Sequence, residues 1–233
     1  MKPDKLPLII CLLVIALAAF SLGCSKKGVP IPKPVPGSPV SDINGNVYKT
    51  VVIGTQVWMA ENLKVTRYSN GDSIPNVKDS TWVSQTTGAY CWYNNDSVTN
   101  MKIYGALYNW YEITDPRGLA PDGWHVPTDN EWTILMNTLG GDSIAATKLK
   151  ETGKTHWLSP NSQSTNETGF TALPGGSLYN IGPFTYLGNY GYWWSSSENS
   201  TSAAWFRGMY YSFGVFRNYS AKSNGYSVRC IKD

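Results

Sequence analysis

Cysteine and histidine side chains, which can act as a nucleophile, a general base or a metal ligand, are few: the chain has four cysteines and two histidines. The sequence contains no HExxH, GxSxG, Walker A or paired-cysteine metal motif around them. His125 lies in a Trp-His-Val-Pro segment, where a structural hydrogen-bonding role is the expectation, and His156 belongs to no such motif either. Catalytic residue types are therefore present without the spacing that these chemistries need.

Cys24 follows a segment with the composition of an export signal. Lys2 and Lys5 precede an apolar run over residues 6–20, and small residues stand just before the cysteine. The run has about 15 residues, fewer than the ~20 that a membrane-spanning helix needs. We therefore predict a signal peptide over residues 1–23 and a mature chain that lies outside the cytoplasm.

The Gly23-Cys24 ending resembles the lipobox of bacterial lipoproteins, with Ser21 where that motif usually has leucine. The resemblance implies that the Cys24 thiol is lipidated and that the chain is anchored to the bacterial cell envelope. The expected location is the outer membrane, on its periplasmic or its surface face. A plain signal peptide or an uncleaved anchor is the alternative. Residues 24–39 hold five prolines and are predicted to form an extended spacer, so that one domain spans residues 40–233.

Cys91 and Cys230 are the two cysteines of that domain. In an exported protein a pair of thiols is normally oxidised. A bond between them would close a loop of about 140 residues and contribute roughly 4–5 kcal/mol in the chain-entropy model. The alternative, a redox-active pair, lacks a CxxC spacing. We predict a structural disulfide.

The composition is poor in charge and rich in aromatic residues. Charged residues make up only 15% of the chain, which has 22 Gly, 15 Tyr and 10 Trp. This composition favours a loop-rich β or α+β domain. We predict the α+β class, with short antiparallel strands and two or three short helices. The formal net charge is +3 without a basic run in the domain, so nucleic acid is excluded as an expected partner.

The clearest local signal is a helix start at Thr128. Thr128 and Glu131 form a capping box, and the helix dipole explains the acidic pair Asp129 and Glu131 without a catalytic role. Apolar residues then recur at i, i+3, i+4 and i+7 until Gly140 and Gly141 end the helix. A second short helix is predicted over residues 144–151.

The remaining elements are predicted from short apolar runs between turn residues. Residues 104–111 are predicted as a short helix, and residues 86–97 as a buried strand that runs into a polar loop. Further strands are predicted over residues 47–53, 56–59, 192–194, 204–208, 214–216 and 226–230.

Seven segments in order resemble the Fibrobacter succinogenes major paralogous domain, which is common in lipoproteins of gut and environmental bacteria. They are NGNVYKTVVIGTQVWMAENL (44–63), AYCWYNND (89–96), YGALYNW (104–110), PDGWHVPTDNEW (121–132), GFTALPGG (169–176), GYWWSSSE (191–198) and NGYSVRC (224–230). The resemblance covers residues 42–233. Members often carry a cysteine where this chain has Ala120, which leaves the partner of Cys91 and of Cys230 open.

More distantly, GWHVPTDNEW, GYWWSSSE and NGYSVRC are similar to segments of the formylglycine-generating sulfatase-modifying factors. That resemblance implies a C-type lectin-like fold. Those enzymes use two cysteines five positions apart, and the matching stretch, residues 215–220, contains none. We therefore predict that the chain is not an enzyme. An enzyme of unknown type that acts on a cell-wall or glycan substrate is kept as an alternative.

The C-terminal third mixes tyrosine with serine, asparagine and glycine, a composition typical of binding surfaces. The predicted ligand-binding residues are Tyr210, Tyr211, Phe213, Phe216, Asn218 and Tyr219. They predict a lipid-anchored, non-catalytic module that recognises a protein or glycan ligand, with a structural envelope protein as a further alternative. A calcium ion held by loop oxygens around residues 94–96 is left open, and no other cofactor is expected.

Overall fold

The computed structural model describes residues 33–179, 182–212 and 214–233. Cys24 and the predicted signal peptide lie outside these ranges, as does Phe213. Within them the chain forms short strands and a few short helices, so the predicted α+β class is confirmed. No helix in these ranges combines the length and the apolar composition needed to cross a membrane.

The elements are numbered in chain order. The strands are β1 (Val35–Pro36), β2 (Val40–Ser41), β3 (Val47–Tyr48), β4 (Thr50–Ile53), β5 (Gln56–Met59), β6 (Tyr90–Cys91), β7 (Leu107–Tyr108), β8 (Trp124–His125), β9 (Gly175–Leu178), β10 (Phe184–Leu187), β11 (Tyr190–Ser200), β12 (Ala203–Tyr210), β13 (Val215–Ala221) and β14 (Ile231–Lys232). The helices are α1 (Asn100–Tyr104), α2 (Trp110–Ile113), α3 (Asp129–Thr138) and α4 (Asp142–Leu149), with 3-10 turns at Ser80–Ser84 and Tyr93–Asn95.

Two five-stranded sheets organise the domain. The first sheet has the order β1-β4-β5-β14-β8, so the last strand of the chain lies between the N-terminal hairpin and a strand from the middle of the sequence. The second sheet has the order β10-β9-β11-β12-β13 and contains the three longest strands. Two further ladders, β2-β3 and β6-β7, have two strands each.

Part of the segment assigned to the spacer is packed onto the first sheet. Val35 and Pro36 pair with Val52 and Val51 on β4, and the backbone N–H of Gly37 donates to the carbonyl of Thr50. Proline is tolerated here because β1 is an edge strand, where one side of the backbone needs no partner in the sheet. Ordered structure therefore begins before Val40.

Helix α3 begins at the predicted capping box. The Thr128 hydroxyl accepts from the Glu131 N–H at 3.2 Å, and the Glu131 carboxylate accepts from the Thr128 N–H at 2.7 Å. The buried face of α3 packs Trp132 against Trp58 of β5, with ring centroids 4.8 Å apart. Helix α4 covers Asp142–Leu149, so it begins and ends two residues before the predicted range of 144–151.

The helix predicted over residues 104–111 is wrong. Gly105 has φ of 74°, a left-handed conformation that ends α1 at Tyr104. Leu107 and Tyr108 then form β7 opposite β6, and the Asn109 side chain accepts from the Glu112 N–H to start α2. Pairing with a distant strand therefore overrides the local helical pattern.

The strands predicted at both ends of the domain are also interrupted. Residues 47–53 form two strands, because β3 pairs with β2 while β4 pairs with β1 and β5. Residues 226–230 are extended but make only isolated bridges, such as Ser227 with Trp193. Arg229 belongs to this segment. Its buried guanidinium donates to the Asn62 side chain at 2.8 Å and to the carbonyl of Phe170. Burial lowers the pKa of Arg229 to about 9.

The predicted disulfide is not present in the structure. Cys91 and Cys230 are both buried free thiols. They lie in different apolar clusters, Cys91 with Trp82 and Leu178, and Cys230 with Tyr48 and Met59. Burial raises the pKa of each thiol well above its usual range, so both are packed as neutral apolar side chains.

Candidate functional site

An open cleft lies on one face of the second sheet. Because side chains alternate along a strand, Tyr190 and Tyr192 of β11 share a face, as do Phe216 and Asn218 of β13. The register places Tyr192 opposite Gly208 of β12 and Gly208 opposite Phe216, which brings these side chains onto the same side of the sheet.

We call this feature the aromatic cleft; its volume is about 360 Å³. The residues that line it are Tyr179, Tyr186, Tyr190, Tyr192, Phe206, Phe216, Asn218, Tyr219, Ser220 and Tyr226.

Buried aromatic rings form the floor of the cleft, and exposed rings form its rim. Tyr192, Phe206 and Tyr226 are buried, whereas Tyr186 is 43% exposed. Tyr192 is stacked on Tyr226, with ring centroids 5.0 Å apart and planes at 17°, and on Tyr190 at 5.4 Å. Such ring pairs are worth about 0.5–1.5 kcal/mol each beyond the area that they bury. The floor is therefore a rigid aromatic surface.

Gly208 leaves room on β12 for the end of the Phe216 ring. A Cβ atom at this position would overlap the end of the Phe216 ring. The ring of Phe216 is half-buried and meets Tyr192 edge-on at 6.3 Å. The absence of a side chain at residue 208 therefore gives the cleft its depth between β11 and β13.

The polar groups of the cleft are neutral. The Tyr226 hydroxyl donates to the Ser220 hydroxyl at 3.1 Å and accepts from the Asn224 amide at 3.2 Å. Burial raises the pKa of Tyr226, and burial together with Tyr226 and Tyr186 raises that of Tyr179 to about 12. None of the described residues that line the cleft is charged. The cleft therefore offers ring faces, hydroxyls and an amide, but no ion partner.

The predicted ligand-binding residues are divided between this cleft and other surfaces. Phe216 and Asn218 line the cleft, and Tyr210 is stacked on the cleft residue Tyr190 at 4.5 Å. Tyr211 lines a different cavity and packs against the core around α4. Phe213 lies outside the described residues.

Tyr219 borders the cleft, but its ring packs edge-on against Trp205, with centroids 5.6 Å apart. Trp205 precedes Phe206 on β12, so its side chain lies on the opposite face of the sheet. The Arg217 guanidinium covers the same Trp205 ring at 3.4 Å and bonds to the Asp129 carboxylate at 2.9 Å. Trp205 is only half-buried in this surface group.

Sequence reasoning missed the rim and floor residues Tyr179, Tyr186, Tyr190, Tyr192 and Tyr226 as parts of a site. The i, i+2 spacing of Tyr190 and Tyr192 was visible, and it predicts that the two rings share one face of a strand. Tyr226 reaches the cleft through a bridge to Tyr108, which is distant in sequence and for which there is no local signal.

Both histidines are engaged outside the cleft. His125 Nδ1 lies 2.6 Å from Asp233 and its Nε2 lies 2.9 Å from Glu131, so the ring ties the C-terminus to the start of α3. Burial lowers its pKa, but the hydrogen bonds to both carboxylates outweigh burial and raise the pKa overall. His156 bonds to Glu151 at 2.8 Å.

No metal centre is evident among the described residues: no three His, Cys, Asp or Glu side chains are close enough to share an ion. In the loop suggested for calcium, the Asp96 carboxylate accepts from the N–H groups of Val98 and Thr99. Asn95 donates to the Lys78 carbonyl. These bonds link the side chains of the loop to neighbouring backbone groups.

Comparison with protein families identifies the domain that contains the cleft. The family model of the Fibrobacter succinogenes major domain matches residues 51–232. The chain belongs to this family. The matched segment includes every residue that lines the aromatic cleft, so the cleft is part of the family domain. No curated protein and no solved structure matches the chain.

Proposed function

We propose that residues 40–233 form a non-catalytic binding module and that the aromatic cleft holds an uncharged glycan. The observation that carries this proposal is the set of lining residues, which are aromatic or small and polar, with no charge. Sugar rings present C–H faces that pack on aromatic rings, and hydroxyls that pair with phenol, hydroxyl and amide groups. A charged ligand would lose its hydration without gaining an ion partner.

The dimensions of the cleft support a short glycan chain as the ligand. Its volume of about 360 Å³ falls within the range of roughly 300–1,000 Å³ that is usual for small-molecule sites. The rigid floor lowers the entropic cost of binding, because its side chains are already ordered by stacking. An uncharged, aromatic-rich peptide segment is the alternative that the experiment below distinguishes.

The positions of the two histidines support a non-catalytic role for the cleft. Both ring nitrogens of His125 are used in bonds to carboxylates, and neither histidine lines the cleft. The stretch that matches the cysteine pair of the sulfatase-modifying factors, residues 215–220, is the cleft strand β13. The same backbone would thus present a binding surface in place of a redox pair.

We further propose that the domain has a C-type lectin-like fold. Support comes from the first sheet, in which β14 lies beside β5 and brings the two ends of the domain together. Helices α3 and α4 also support this fold, because they are consecutive in the chain and pack against residues of both sheets.

The proposed location is the bacterial cell envelope, where a lipid on Cys24 anchors the chain to the outer membrane. The support is the charged start, the apolar run and the Gly23-Cys24 ending of the N-terminal segment. Intact-mass spectrometry of the chain purified from membranes tests this part. The mass should correspond to a chain that begins at Cys24 and carries acyl groups, and an unmodified thiol there would contradict it.

The binding proposal is tested with the full-length chain purified in detergent. It is applied to an array that contains neutral glycans, acidic glycans and uncharged peptides. We expect binding to neutral glycans, and we expect Tyr186→Ala to weaken it by about tenfold, because one exposed stacking ring is lost.

Tyr111→Ala is the matched control, since Tyr111 is a half-buried tyrosine of α2 that does not line the cleft. Its removal takes no ring from the cleft and should change glycan affinity by less than about twofold. Binding to peptides but not to glycans would show that the ligand is a peptide. Equal losses of glycan affinity in both variants would show that the aromatic cleft is not the binding site.

A further inference from the structure

A second cavity lies between α4 and the turn that follows β12. We call it the lysine cavity; its volume is about 330 Å³, and it shares no lining residue with the aromatic cleft. Lys150, directly after α4, lines it together with hydroxyl and amide side chains that include Ser143, Thr147, Gln163 and Ser212. None of the described residues that line the cavity has a carboxylate.

The Lys150 ammonium is buried without an acidic partner. Lys150 is only 4% exposed, and its Nζ donates to the carbonyls of Tyr210 and Tyr211, each at 3.0 Å. Its Nζ lies 5.2 Å from the centre of the Trp157 ring. No carboxylate among the described residues forms an ion pair with it.

This arrangement is unusual, because a buried lysine is normally paired with a carboxylate. Glu151, the next residue, bonds to His156, and Glu167 pairs with Lys148 at 3.1 Å. Burial alone lowers the pKa of Lys150 to about 8. At neutral pH the cavity therefore holds one positive charge that no carboxylate balances.

We propose that the lysine cavity binds the carboxylate group of a small molecule, with Lys150 as its ion partner. An ammonium has three N–H donors, and the two backbone carbonyls account for two of them. A carboxylate oxygen takes the third, and the hydroxyl and amide groups of the wall solvate the rest of the ligand. A carboxylate fits better than a phosphate dianion, because the single positive charge of the cavity balances a single negative charge.

The test compares acids with neutral molecules of the same shape on the full-length chain. Calorimetric titrations use glucuronate against glucose, and acetate against acetamide. We expect each acid to bind about tenfold or more tightly than its neutral counterpart, as a charge-assisted hydrogen bond provides. Lys150→Met should abolish the preference. Lys148→Met, two residues away and paired with Glu167, should leave it unchanged.

Wild-type chain provides a second measurement if Lys150→Met does not fold. Acetic anhydride labels lysine amines, and mass spectrometry reports each lysine separately. Glucuronate should slow the labelling of Lys150 about tenfold and leave Lys148 unaffected, while glucose should have no effect. The proposal is overturned if acid and neutral molecules bind or protect equally, or if a folded Lys150→Met variant keeps the preference. Tyr186→Ala should not change this result, so the outcome is independent of the aromatic cleft.

Discussion

Glu112 is a buried acid whose replacement should change how stability depends on pH. Its side chain is fully buried; Oε2 accepts from the Tyr68 hydroxyl at 2.9 Å, and Oε1 has no hydrogen-bond partner among the described residues. Burial raises its pKa from 4.5 to about 8, against a lowering by the Tyr68 bond. At neutral pH the folded protein therefore keeps this carboxyl protonated.

The direction of the effect follows from proton binding. Between pH 4.5 and about 8 the unfolded chain loses the Glu112 proton while the folded chain retains it. The free energy of unfolding must then fall as pH rises through this window, and it is constant above it. At ~1.4 kcal/mol per pKa unit the whole fall amounts to about 4–5 kcal/mol. Glu112→Gln replaces the ionisable carboxyl with an amide. This contribution to the fall in the free energy of unfolding then disappears.

Urea denaturation followed by tryptophan fluorescence at pH 5, 6, 7 and 8 measures the effect. The buried amide has a cost of its own, but that cost does not depend on pH. The free-energy difference between Glu112→Gln and wild type should therefore rise by a few kcal/mol from pH 5 to pH 8 in favour of the variant. The control, Asp122→Asn at an exposed position, should show no such trend. A difference that stays constant across this range would refute the reasoning.

Three further outcomes are expected. Gly208→Ala should push the Phe216 ring out of the aromatic cleft and lower glycan affinity at least about tenfold with a small change in melting temperature; unchanged affinity would contradict the role of Gly208. Thr128→Ala should lower the free energy of unfolding by about 1 kcal/mol in urea titrations, because the capping box is lost. A reductant should leave the melting temperature unchanged, because Cys91 and Cys230 are free; a fall of many degrees would show that they are bonded.

The sequence predicted the elements whose signals are local. Helix α3 begins at Thr128 because its cap and its apolar face lie within a few residues of each other. The segment after Tyr104 was mispredicted because its conformation depends on Gly105 and on pairing of Leu107 with Cys91, far away in the chain. Local patterns do not contain that information.

The candidate site was predictable in part for the same reason. The mixture of aromatic and small polar residues identified β13, and Phe216 and Asn218 do line the cleft. Strand alternation then separates Tyr219 from them, and the turn after β12 carries Tyr211 to the lysine cavity. Composition reveals the chemistry of a surface, but register decides which face each side chain occupies.

The missing disulfide shows a similar limit. Two cysteines in an exported domain normally pair, yet a bond also requires Cβ atoms within about 4.5 Å. Cys91 and Cys230 lie in separate clusters of the core, and spacing along the chain cannot show this.

The most direct test of the account is where a neutral glycan contacts the protein. The ring signals of isotope-labelled tyrosines, assigned by substitution, are followed by NMR while the glycan that binds best on the array is added. The account predicts that Tyr186 and Tyr190 shift with the same saturation curve while Tyr211 does not move. Shifts confined to Tyr211, with the cleft rings unchanged at saturation, would contradict it.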